Sequence, residues 1–147
     1  MRSASFLGYI AAAVISGNAC VAAPLILAEE AALPAASVPA PTRGISRGPT
    51  VRLISPMADT SIKSPFDFKV AFDPRGDSKV DLDSVHVVYI KSPFVDLTPR
   101  LLTAISRTGI NFFSAEIPSG THQIRVTVKD TDGRETNSLF TLVVVGK

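Results

Sequence analysis

His122, Asp130 and Asp132 fall within residues 120–136, GTHQIRVTVKDTDGRET, the stretch of the chain richest in side chains that can do chemistry. Asp130-Thr131-Asp132-Gly133 offers two carboxylates in a spacing found in calcium loops. Calcium takes roughly six to eight oxygens and its helix-flanked loop ends on a further glutamate. Here the chain returns at once to an apolar run, so the cluster reads as a tight turn between antiparallel strands, with Gly133 supplying the positive φ.

The sequence holds two histidines, His86 and His122. Two imidazoles on paired strands could share copper or zinc, and this is the alternative reading of the chain, a small periplasmic metal-binding protein. A catalytic or structural site wants a third or fourth protein ligand, and Cys20 is the one cysteine in the sequence. The leading reading therefore assigns no metal and no other cofactor.

Arg75-Gly76-Asp77 spells an adhesive tripeptide, but Pro-Arg-Gly-Asp is also ordinary turn composition. Asp81 and Asp83 are a possible carboxylate pair, read more simply as solvated residues leading into a strand. Nucleophile-elbow, glycine-rich phosphate-loop and cofactor motifs are all missing from the sequence. The expectation is a protein that is not an enzyme.

These residues need strands to position them. In FDFKVAF, Phe66, Phe68, Val70 and Phe72 alternate with Asp67, Lys69 and Ala71, which is a strand with one buried face. HQIRVTVK repeats the pattern, with Ile124, Val126 and Val128 directed to the core. Residues 50–55, 84–90, 110–117 and 138–145 complete six strands separated by Gly, Pro and Asp turns. Thr98 to Arg107 is ambiguous: Thr98-Pro99 opens like a helical turn, while Leu102, Ala104 and Ser106 can extend as a seventh strand.

Gly120, His122, Ile124, Val126, Val128, Asp130 and Gly133, followed by Phe140 to Val145, resemble the last two strands of the immunoglobulin-like domains of bacterial envelope and secreted proteins, and PTVRLISP (49–56) resembles their first strand. The resemblance implies an all-β, antiparallel immunoglobulin-like sandwich of about seven strands over residues 50–147. It also implies a spacer, adhesion or accessory role, contacting a protein or a carbohydrate. The tryptophan and cysteine pair of antibody domains are missing.

The 147 residues suit one domain, and the 15 basic against 13 acidic residues lack the positive excess that phosphate neutralisation needs. Nucleic acid is excluded as a partner on that balance. Arg2, the apolar run Phe6 to Ile15 and a small-residue region after it describe a signal peptide over residues 1–28, cleaved after Ala22 or Ala28. The expected location is the bacterial periplasm or the exterior. A membrane enters only if the leader stays uncleaved or Cys20 is lipidated, and Gly17-Asn18-Ala19-Cys20 departs from the usual lipidation motif. Residues 29–49, with Pro34, Pro39, Pro41 and Pro49, read as a Pro/Ala-rich flexible linker.

Overall fold

The computed structural model describes residues 22–38 and 46–146. The apolar run Phe6 to Ile15, Cys20 and residues 39–45 of the expected linker lie outside them. In chain order the elements are β1 (Ala23–Pro24), α1 (Ala28–Ala31), β2 (Thr50–Ser55), β3 (Ser61–Lys63), β4 (Phe66–Asp73), β5 (Val80–Tyr89), β6 (Val95–Asp96), α2 (Thr98–Leu101), β7 (Ile105–Ser106), β8 (Gly109–Glu116), β9 (Gly120–Asp130) and β10 (Glu135–Val145).

They form a β-sandwich. One sheet runs β1-β8-β4-β2, with β7 also on β8, and the other runs β3-β10-β9-β5-β6. The central order β2-β4-β8-β7 facing β5-β9-β10 is the immunoglobulin arrangement of four strands over three. All six expected strands are present. The segment Thr98 to Arg107 combines both of its possibilities, a helical turn at 98–101 and a two-residue edge strand at 105–106.

Two short pairings are parallel where an all-antiparallel sandwich was expected. After Ser55 the chain leaves the first sheet, turns through Pro56 to Thr60, and joins the second as β3 alongside Val143 to Val145. β1 runs parallel to β8, pairing Ala23 with Ala115 and Pro24 with Glu116.

The alternating patterns fill the space between the sheets. Phe68, Val70 and Phe72 of β4 meet Val85, Val87 and Tyr89 of β5 and Ile124, Val126 and Val128 of β9 in one buried cluster. Gly109 has φ +153, and a Cβ there would lie 2.0 Å from the Val70 carbonyl oxygen, so only glycine lets β8 start this close to β4. On the far edge of β5, Thr98 does the work of a strand. Its hydroxyl accepts from the Val87 N–H at 2.9 Å, and the Leu97 N–H donates to the Val87 carbonyl at 2.8 Å.

Residues 23–35 run as a strap over the sandwich. Leu25 and Ile26 are core residues, 0% and 2% exposed, and the Leu25 N–H donates to the Glu116 carbonyl at 3.0 Å. Beyond α1 the strap continues over the second sheet, where the Ser92 N–H donates to the Pro34 carbonyl and Ala35 bridges to Lys91. The far end of the expected linker is also seated: Gly48 and Pro49 are buried, and the Ser46 hydroxyl lies 2.6 Å from that of Thr136. A Pro/Ala-rich composition limits helix to the single turn of α1 but does not prevent docking, because an irregular chain can still lend its backbone groups and two adjacent apolar side chains to a sandwich.

Candidate functional site

β9 alternates through Ile124, Val126 and Val128, so His122 shares their parity and points inward, 2% exposed. Tyr89 on β5 pairs with Ile124, which sets its ring diagonally against His122 on the same face. The ring centroids are 5.7 Å apart. The Pro118 carbonyl can only accept, so Nε2 of His122 carries the proton and donates to it at 2.8 Å. Nδ1 then accepts from the Tyr89 hydroxyl, also at 2.8 Å.

Burial pushes the His122 pKa down, opposed by the hydrogen bond to Pro118 and assisted by the positive charge of Lys91. Burial, and then the negative charge of Glu30, push the Tyr89 phenol up. Both groups are neutral and mutually satisfied. With each ring nitrogen engaged, His122 has no lone pair for a metal.

His86 lies elsewhere. It pairs with Thr127, and its parity opposite to Val85, Val87 and Tyr89 places it on the exposed outer face of the same sheet. Along β9 the levels of His122 and Thr127 differ by five residues, roughly 17 Å at the rise of a strand. The shared-metal expectation for His86 and His122 is thus corrected by geometry: the two imidazoles face opposite sides of one sheet. Among the described residues, no group of three or more His, Cys, Asp or Glu side chains is placed to hold a metal ion.

Asp130 is buried at the start of the turn expected there. Its Oδ1 accepts from the backbone N–H groups of Asp132 at 3.0 Å and Arg134 at 2.9 Å, while Oδ2 accepts from Arg134 Nε at 2.8 Å. Burial pushes this carboxyl up, but the hydrogen bonds and charge of Arg134, with the Asp132 N–H, outweigh it and hold the pKa below the usual carboxylate value. Arg134 also donates to Asp132. The cation of this loop is therefore Arg134 itself, and the two aspartates that suggested calcium are its partners.

The structure sets the Arg75-Gly76-Asp77 turn beside this one. Gly76 has φ +63, the Ser78 hydroxyl donates to the Arg75 carbonyl at 2.6 Å, and the Thr131 N–H donates to the Lys79 carbonyl at 2.8 Å. A shallow groove of about 400 Å³ separates Arg75 and Asp77 from Asp132 and Arg134. Asp81 and Asp83 form a local turn in which the Asp83 N–H donates to Asp81 Oδ1 at 3.1 Å. They sit where β5 bulges between Asp81 and His86 against β9.

That bulge makes a feature the alternation did not announce. Leu82 is 42% exposed and Leu102 66% exposed, and with His86, Thr98 and Ile105 they line a groove of about 270 Å³ at the β5 edge. A sequence signal existed in part, since Leu82 and Leu102 are apolar residues at positions that the strand patterns leave out of the core.

No family model matches the chain, and no curated protein matches it. Solved structures with some likeness include CopC from Methylosinus trichosporium OB3b, at 15% identity and TM-score 0.44, covering 66% of this chain and 95% of that one. An endo-β-1,4-mannanase from Thermotoga petrophila gives 15% identity and TM-score 0.46, covering 71% of this chain and 21% of that one. The fibronectin(III)-like modules of CbhA from Clostridium thermocellum give 13% identity and TM-score 0.40, covering 67% of this chain and 47% of that one. With all three TM-scores below 0.5, the sandwich assignment rests on the strand pairing itself.

Proposed function

We propose that this chain is an exported, non-enzymatic immunoglobulin-like module of the bacterial cell envelope, periplasmic or secreted, that contacts a protein or glycan partner. The observation that carries the reading is how the capable side chains are used. His122 is closed between Tyr89 and Pro118, Asp130 is closed on Arg134, and Glu30 is closed on Arg100, so each is spent on holding the fold. Among the exposed apolar side chains, Leu82 and Leu102 are the two that flank the groove beside His86 at a sheet edge, where neighbouring strands are only two residues long. Exposed apolar side chains at a thinly covered edge suit association with another chain or with the apolar face of a sugar.

The test is retention by the immobilised protein of envelope proteins and of arrayed glycans, with Leu102→Asp and Leu82→Asp variants alongside. A partner held by the parent and lost from both variants at unchanged Tm supports the reading. Retention by the variants moves the contact to another face. Hydrolysis of an ester or glycoside that disappears on Asp130→Ala would overturn the non-enzymatic assignment.

A further inference from the structure

We infer that the leader is removed between Ala22 and Ala23, so that the working chain starts with β1; this rests on the export reading above. A small residue at the last leader position leaves Ala22 and Ala28 as candidate ends, and the fold separates them.

A cut after Ala28 would discard residues that the sandwich uses. It would remove both β1 pairings with β8, the hydrogen bond from the Leu25 N–H to Glu116, and the two core side chains of Leu25 and Ile26. It would also take the Leu25 carbonyl from Arg100 Nη1, 2.9 Å away, and the Leu27 N–H from Glu30 Oε2, 2.9 Å away. Glu30 and Arg100 would keep each other but lose the segment they clamp. A cut after Ala22 leaves every one of these contacts in place.

The local sequence agrees. Leader peptidases require small residues at the last and third-last positions of the leader. Before a cut at Ala22 those positions hold Ala22 and Cys20; before a cut at Ala28 they hold Ala28 and the bulky Ile26. Pro24 is then the second residue of the product rather than the first, so the scissile amide keeps its N–H. The step is a hydrolysis: water adds across the Ala22–Ala23 amide in the active site of a leader peptidase, the leader departs with a carboxylate on Ala22, and Ala23 keeps a new ammonium group.

The experiment expresses the full chain in a bacterium, fractionates the cells, and reads the product by intact mass and N-terminal sequencing. A periplasmic product beginning Ala-Pro-Leu-Ile is expected. One beginning Glu-Glu-Ala, one beginning at a modified Cys20, or any other exported start overturns the inference while leaving export standing. An uncleaved chain retained in the cytoplasm overturns the export reading itself, and the inference with it. Ala22→Tyr should abolish the mature band and Ala28→Tyr, at an exposed position, should leave it; the opposite pattern also overturns the inference.

Discussion

Arg100 and Glu30, seventy residues apart, meet in a two-pronged ion pair, with Nη1 2.8 Å from Oε2 and Nη2 2.6 Å from Oε1. The pair joins α2, on the edge of one sheet, to α1 of the strap, and Arg100 extends the clamp to the Leu25 carbonyl. Both side chains are partly covered, 30% and 14% exposed, which spares the pair some of the screening that makes surface pairs weak.

Glu30→Gln should therefore cost about 1–2 kcal/mol, more than an open surface pair and less than a fully buried one. The hydrogen bond from Arg100 holds the Glu30 carboxyl below its usual value, against the opposing effect of burial, with further help from the Leu27 N–H and the Arg100 charge. A depressed acid contributes stability that is present above its unfolded pKa, roughly 4.3, and is lost as pH falls through the lower folded value. Denaturant melts of parent and variant should differ at neutral pH and converge in acid.

His122 gives the complementary slope. Its folded pKa is depressed, so the unfolded chain takes up the proton first as pH falls below 6.5. Stability is full above that value and declines through the window down to the folded pKa, a decline that His122→Gln should remove. Tyr89→Phe should cost about 1–3 kcal/mol by leaving Nδ1 buried without a donor. Urea midpoints measured between neutral pH and mild acid check both.

Asp130→Ala should lower Tm more than Asp132→Ala does, because the first opens two backbone N–H groups and a guanidinium while the second removes one exposed contact. Calcium should raise the Tm of neither variant nor the parent. Copper and zinc should likewise leave the parent unchanged, since a ligand that binds only the folded state must raise the transition. Thermal scans with and without each ion read all of these.

Gly109→Ala places a methyl group against the backbone of β4, with a Cβ 2.0 Å from the Val70 oxygen at a φ that side chains avoid. The cost should be about 2 kcal/mol or more, from strain together with overlap. By contrast Gly76, at φ +63, has no atom within 4 Å of a built Cβ, so Gly76→Ala meets backbone strain without overlap. A larger drop in Tm for Gly109→Ala than for Gly76→Ala is the expected result.

Much of the sandwich was legible because alternation is a local property. Phe66 to Phe72 and Gln123 to Lys129 reveal their buried faces without reference to any partner. Parity alone also separates the histidines: His122 falls in step with Ile124 and Val126, whereas His86 falls out of step with Val85 and Val87, so strands of one sheet must direct them to opposite faces. The strap was not legible. Leu25 and Ile26 form an adjacent apolar pair with no period, and the Glu30–Arg100 clamp is a contact between distant segments that neither announces. The Leu82 groove was hidden for a related reason, since a bulge interrupts the very period by which strands are recognised.

Pro24 and Ile26 line the same groove as Val145 and Gly146, so the strap comes in and the last strand leaves at one pole of the sandwich. The turns at Arg75 to Asp77 and Asp130 to Gly133 lie at the other pole, roughly 34 Å away along the length of β9. At the first pole Val143 and Val144 pair with β3 on one side and β9 on the other, so β10 leaves the sheet as an inner strand. The strap and the end of β10 thus share one end of the sandwich, and the two charged turns share the other.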